Sequence, residues 1–415
     1  MGKRAISATA DSVRRLTVTK QRLAGERPRK ATREDIVSVI RDLAYVQWDP
    51  VTIVAPSHAI SLWSRIGDFR NSDLEGLLWD ERRVFEHWTP IASIVLTEDY
   101  PLYSHLMKRY PESLSKSWRN HIPRAKKFLA EHRGLRKNIL RELEGGPLLL
   151  NQFGDYVKTK RSSDGWSTGN DVSNMLFHLL MKGEVMVVGH AGNQNVWGLT
   201  KDFLPERVLE QDIEGDEFER QAAQRAIRAL GTAAPSEIVY YFVRGRYQTL
   251  KKTLATLEAE GAIHRVTVEG LGKEERYVHE QDVPLLESMG GKAWQPRTAL
   301  VAPFDNLIAG RQRTNRVFGF DYVHEQFLPK EKRKFGTWVL PILRGDRLIG
   351  RVDPKLDKEK GKLVINSVHA EPGAPEEREV AADIAETIQG LASFVGAKEV
   401  EYSPRVPAPW RGALR

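Results

Sequence analysis

Residues 170–199 read NDVSNMLFHLLMKGEVMVVGHAGNQNVWGL, and this stretch decides the fold class. A helix begins near Asn170-Asp171 and covers Val172 to Met181, with Gly183 beyond its end. Glu184–Gly189 then reads as a strand, Gly192-Asn193 as a turn, and Val196–Leu199 as a second strand. Upstream, two further helices are expected over roughly 122–132 and 134–144, the second closed by Gly145-Gly146-Pro147. A basic polar loop, Lys158 to Gly169, separates them from the third. Three helices followed by a two-stranded ribbon with a Gly/Asn turn is the winged-helix order.

The order returns downstream. Helices are expected over about 216–230, 236–242 and 247–260, the last closed by Gly261, with Leu250, Leu254 and Leu257 as its core stripe. Ala262–Glu269, Gly270–Gly272 and Glu275–His279 read as a hairpin. Upstream, the first hundred residues read as a more divergent copy. Asp11 or Ser12 caps a helix to about Ala24, and Thr32 caps a second, with Asp35 at the third helical position. Ile36, Val39, Ile40 and Leu43 form the apolar face of that second helix. Further helices are expected from Pro56 or Ser57 to Ile66 and from Ser72-Asp73 to about Trp79. Beyond residue 296 the character changes: Leu300–Asp305, Trp338–Leu343, Arg347–Asp353 and Lys362–His369 read as strands, and 375–395 as an amphipathic helix. Pro404 to Arg415 reads as irregular. The expected fold is α+β, with tandem winged-helix modules at 1–105, 106–205 and 206–295 and a β-rich C-terminal domain with a terminal helix at 296–415.

Composition narrows the partners. The 415 residues carry a net charge of +8 and no cysteine, which excludes disulfides, zinc fingers, iron–sulfur clusters and cysteine nucleophiles. No apolar run reaches the roughly 18 residues that a spanning helix needs, and the N-terminus lacks the apolar stretch of a secretory signal. A cytoplasmic, nucleoid-associated monomer is the expectation. Basic charge is spread over residues 1–33, over Arg124 to Arg141, and over Arg311, Arg313, Arg316, Lys330, Lys332, Arg333 and Lys334. That distribution suits a long duplex footprint, because neutralised phosphates release counterions. The histidines and acids lack metal-site spacing, and no phosphate or dinucleotide loop is present, so neither metal nor cofactor is expected.

Gln47-Trp48-Asp49 ends the second helix, and Pro50 disfavours helical geometry at Asp49. In an extended segment, residues two apart point the same way, so the amide and the carboxylate would share one space with Trp48 turned into the core. Such a pair can orient a water molecule and take its proton, or stabilise a nearby cation. The alternative reading is a helix terminus whose polar groups satisfy free backbone amides.

Gln47-Trp48-Asp49, with Val54-Ala55-Pro56-Ser57-His58 and Leu62-Trp63-Ser64-Arg65, resembles the YcaQ/AlkX/AlkZ family of interstrand-crosslink DNA glycosylases and its Gln–Φ–Gln/Asp motif. Pro303–Ile308, Gly350-Arg351-Val352-Asp353 and Val368-His369-Ala370-Glu371-Pro372-Gly373 fit as well, so the resemblance runs over about residues 10–395. It implies winged helices plus a β-rich domain around duplex DNA. It further implies hydrolysis of the N-glycosidic bond of N7-alkylated purines, including crosslinks, with Gln47 and Asp49 catalytic. Trp48 is bulkier than the aliphatic residue usual in the motif, and with Pro50 it narrows the implied site. Candidate DNA contacts are Ser57, His58 and Arg65; Lys158, Lys160 and Arg161; Asn170, Ser173 and Asn174; Asn193 and Gln194 at the wing tip; and Arg311 and Arg313. Two other readings stay open at this point: a non-enzymatic winged-helix regulator, and an interaction protein whose winged helices bind partners.

Overall fold

The computed structural model describes residues 5–89, 91–154, 171–272, 274–291 and 293–415. They form two compact units, one of Met1–Asn71, Ala226–Ile238 and Leu257–Arg415, the other of Ser72–Arg225 and Val239–Thr256.

In the first unit, the helix Arg33–Leu43 starts where the sequence places it. Asp35 N donates to Thr32 Oγ1 at 3.3 Å and Thr32 N to Asp35 Oδ2 at 2.9 Å, a reciprocal cap. The helix buries Ile36, Val37, Val39, Ile40 and Leu43 and ends at Ala44, which adopts a left-handed φ of 67°. That reversal releases the chain into extended geometry at Val46–Gln47. The helix Ser57–Ile66 follows, with all ten residues buried and Gly67 at its end.

The C-terminal sheet orders its strands as Thr298–Leu300, Leu340–Arg344, Arg347–Asp357, Lys362–Ala370 and Glu399–Tyr402. The first three junctions are antiparallel and the last is parallel. A parallel return needs a crossover, which the helix Arg378–Phe394 supplies. Its Val380, Ile384, Ile388 and Leu391 share one core with Trp63, Trp338, Leu340 and Ile342. A second sheet joins Ile6–Thr9, Ile263–Glu269, Arg276–His279 and Thr232–Ala233. Here Ile6–Thr9 pairs parallel with Ile263–Glu269, and Thr9 caps the helix Ala10–Lys20 in place of the expected Asp11 or Ser12.

In the other unit, helices Ile122–Glu131, Arg133–Leu143 and Asp171–Met181 precede the hairpin Val185–Ala191 and Gln194–Leu199. Ile139, Leu143, Phe153, Val172, Leu176, Leu179 and Val185 fill its core. This unit also holds an antiparallel hairpin, Val84–Trp88 with Ala92–Leu96. Fold class and C-terminal helix are as expected. The strand expected over Leu300–Asp305 differs: it spans Thr298–Leu300 and stops there. Asp305 turns the chain instead, its amide bonding to Ala302 O at 3.1 Å while its Oδ1 accepts from Leu307 N at 2.9 Å.

Deep in the first unit, Arg65 Nη1 donates to Asp305 Oδ2 at 2.6 Å and Nη2 to Oδ1 at 2.8 Å, both side chains wholly without solvent contact. Arg65 Nε and Nη1 also donate to the Gln21 and Ser61 carbonyls, each at 2.8 Å. Removing one partner of such a pair strands a buried charge and typically costs about 3–5 kcal/mol, whereas replacing both by apolar groups costs far less. Asp305→Asn should therefore lower unfolding free energy by several kcal/mol, to a first approximation within that range. The double change Arg65→Met with Asp305→Leu should recover much of the loss. Urea denaturation of the three proteins measures both; equal stability of wild type and Asp305→Asn would contradict the assignment.

Candidate active site

Gln47, Trp48 and Asp49 are all half-buried, so Asp49 remains open to a ligand. Its position is set from two sides. Asp49 N donates to His58 Nδ1 at 3.4 Å, which puts the His58 proton on Nε2 when the ring is neutral. Val51 N donates to Asp49 Oδ1 at 3.0 Å. Trp48 is not turned into the core as expected. Its ring lies on His58, centroids 4.2 Å apart and planes 11° from parallel. His58 thus braces two consecutive motif residues, one through its ring face and the other through Nδ1.

The helix Ser57–Ile66 carries His58, and the Pro303–Ile308 segment anchors the other side. Asn306 Nδ2 donates to Tyr45 O at 3.0 Å, just before the motif. Asp305 grips Arg65, near the far end of the helix that follows the motif. The motifs that lie apart in sequence therefore clamp the chain on both sides of Gln47–Asp49.

A residue that the sequence did not flag completes the site. His324 lies within electrostatic range of Asp49, and each acts on the other's titration. Burial holds the Asp49 carboxyl above its ordinary value of 3.8, against the opposing pull of the Val51 amide and His324. For His324, burial holds the ring below 6.5, opposed by its hydrogen bond to Gln326 and by Asp49, while Arg311 adds to the lowering. The ring is therefore neutral near pH 7. Its Nε2 is 3.0 Å from Gln326 Oε1, and its Nδ1 is buried without a hydrogen-bond partner among the described residues. Edge contacts with Phe304 and Trp338, at 4.8 and 5.3 Å, fix its plane. A carboxylate with a raised pKa beside a neutral imidazole, open on one side, can hold and activate a water molecule.

The other sequence candidates separate by exposure. Arg311 is exposed and close enough to His324 to shift it. Asn193 and Gln194 are exposed at a hairpin tip, and Ser173 and Asn174 are half-buried on the helix Asp171–Met181. Lys158, Lys160, Arg161 and Asn170 lie outside the described residues. Arg65, Arg313 and Ser57, expected at the surface as DNA contacts, are buried. Arg65 is spent on Asp305. Arg313 is buried and donates to Thr17 Oγ1 at 3.0 Å and Leu230 O at 2.8 Å. Ser57 is buried at the start of its helix, and His58 is buried against Trp48. Each of these side chains is consumed by packing, which base spacing in a sequence does not reveal.

Comparison with known proteins gives two findings. A family model described as DNA glycosylase AlkZ-like matches residues 40–394. The fold is similar to that of the Streptomyces sahachiroi DNA glycosylase AlkZ, with a TM-score of 0.67 at 16% identity over 97% of this chain and 100% of that one.

The raised pKa of Asp49 has a signed consequence for stability. A carboxyl whose folded pKa exceeds its unfolded value favours the fold while protonated, and that contribution is lost as pH rises through the folded value. Relative to Asp49→Asn, the wild type should therefore lose melting temperature as pH rises from below 3.8. Paired Tm measurements against pH read this directly; a constant difference across the range would contradict it.

Proposed function

This chain belongs to the AlkZ-like family of DNA glycosylases, and from that premise we propose that it hydrolyses the N-glycosidic bond of N7-alkylated purines in duplex DNA. The reaction is monofunctional, needs no metal, and extends to purines crosslinked through N7. The observation that carries this reading is the half-exposed Asp49, fixed by His58 and lying beside a neutral His324.

Alkylation at N7 places positive charge on the purine and makes it a good leaving group. No strong general acid is then required. As the glycosidic bond lengthens, the sugar gains oxocarbenium character, and the Asp49 carboxylate stabilises it electrostatically. Gln47 orients the attacking water through its amide, and Asp49 accepts the proton as oxygen bonds to the anomeric carbon. The products are a free base and an intact strand bearing an abasic site. A crosslinked base is tethered to the opposite strand and cannot swing into a deep pocket. An Asp49 reachable at the surface suits that constraint.

The helix-then-hairpin segments are read as winged-helix modules over 1–105, 106–205 and 206–295, with 296–415 as the β-rich domain that completes the site. Asn193 and Gln194 reach the duplex as a wing tip, Ser173 and Asn174 lie along the reading helix, and Arg311 holds a phosphate near the lesion. The enzyme works as a monomer on nucleoid DNA.

On a duplex with a single N7-methylguanine, Asp49→Asn should slow single-turnover base release by about 100-fold or more, and Gln47→Ala should slow it by at least about tenfold. Both variants should bind undamaged duplex as the wild type does. Chromatography of the released base measures the rates. Undiminished release by Asp49→Asn would remove Asp49 from the mechanism.

A further inference from the structure

Among the described residues, three large hydrophobic side chains are exposed: Val51 at 38%, Tyr240 at 66% and Phe327 at 77%. A lone exposed ring needs no explanation. Phe327 differs from an ordinary surface ring in its placement, its support and its surroundings.

Its placement is beside the candidate catalytic group. The Phe327 ring meets His324 edge to face at 5.3 Å, and His324 is the imidazole that acts on Asp49. Val51 is two residues beyond Asp49, and its amide bonds the Asp49 carboxylate. Val51 thus adjoins Asp49 in the chain, and Phe327 adjoins the imidazole that acts on Asp49.

Its support is unusual for an exposed residue. Arg333 donates from Nη2 to Gln326 O at 3.1 Å and from Nε to Leu328 O at 3.0 Å, so one guanidinium pins the backbone immediately before and after Phe327. Its Nη1 reaches Thr337 Oγ1 at 3.0 Å. Glu325 Oε2 accepts from Phe335 N at 2.8 Å and Gly336 N at 3.1 Å, and Asp353 Oδ1 accepts from Thr337 N and Trp338 N at 3.1 and 2.9 Å. Gly336 is required for this closure, because a Cβ there would overlap the Asp353 carboxylate. The ring is held out toward solvent by a loop tied to the sheet.

Its surroundings are cationic. Lys330, Lys332 and Lys334 are exposed on the same loop together with one exposed acid, Glu331, and exposed Arg311 is within electrostatic range of His324. A preformed apolar wedge among cations is the arrangement by which proteins part stacked base steps while the phosphates are held on either side. Preorganisation keeps the ordering cost low at the moment of binding.

We propose that Phe327 is a wedge that inserts into duplex DNA beside the damaged nucleotide, opening the stack so that the glycosidic bond reaches Asp49. This rests on the glycosylase reading above and adds the step that exposes the lesion. Insertion forms no covalent bond, and stacking of a base on the ring replaces the base–base contact that is lost.

The test uses the full chain and a duplex in which 2-aminopurine, a fluorescent base quenched by stacking, adjoins a single N7-methylguanine. Wild type should raise the fluorescence on binding. Phe327→Ala should abolish most of that rise and lower kcat/KM about tenfold, the scale of losing one base–aromatic stack, while its Tm stays unchanged. Phe327→Leu, which keeps an apolar wedge, should restore part of both signals. If Phe327→Ala matches wild type in fluorescence and excision, the wedge is overturned although the enzyme works. If wild type releases no base, the glycosylase reading fails. The wedge is then judged on fluorescence alone: it stands if the rise occurs and Phe327→Ala abolishes it, and it is overturned by no rise or by equal rises in the two proteins.

Discussion

The structure around the candidate site depends on one buried ion pair. Arg65 and Asp305 are separated by 240 residues in the chain, meet through two hydrogen bonds, and see no water. A guanidinium cannot shed its proton inside a protein, so its burial is tolerable only with a carboxylate in register and the remaining donors satisfied. Here the Gln21 and Ser61 carbonyls complete the set. The consequence is positional: the helix that carries His58 is locked to the turn that carries Asn306, and that turn holds the Tyr45 carbonyl. The extended segment between Tyr45 and His58, which bears Gln47 and Asp49, is thereby held at both ends.

Within that frame, the electrostatics of the site follow from partial burial. Asp49 is open enough to meet a ligand yet shielded enough for its carboxyl to titrate high, and His324 is shielded enough to be neutral. A carboxylate in such a setting is poorly solvated, so a developing positive charge nearby is stabilised more than it would be in water. An N7-alkylated purine leaving its sugar generates that kind of charge. On the proposed reading the chemistry asked of the protein is modest, and a single carboxylate with an oriented water is proportionate to it.

Much of the local structure was legible in the sequence because its causes are local. The Thr32–Asp35 cap, the stop at Gly67, the helix Asp171–Met181 and the turn at Gly192-Asn193 each follow from a few adjacent residues. What escaped depends on distant partners. Ile6–Thr9 is a strand only because Ile263–Glu269 offers it an edge, and the hairpin Val84–Trp88 with Ala92–Leu96 lacks the Asn-Gly or Asp-Gly signal of a tight turn. Arg65 and Arg313 looked like phosphate contacts because charge in a sequence carries no information about burial. His324 could not be found from spacing, since nothing links it to Asp49 until the fold places them together. The resemblance of the Pro303–Ile308 segment was the one available hint, and its physical content is the clamp it forms on the motif.

The central claim is that the site breaks a glycosidic bond and leaves the strand whole. Mass spectrometry of a duplex carrying one N7-methylguanine, after incubation with the full chain in the presence of a chelator, tests it most directly. The account predicts a strand lighter by the modified base and heavier by one hydroxyl, with no shorter fragments. A strand of unchanged mass would contradict it.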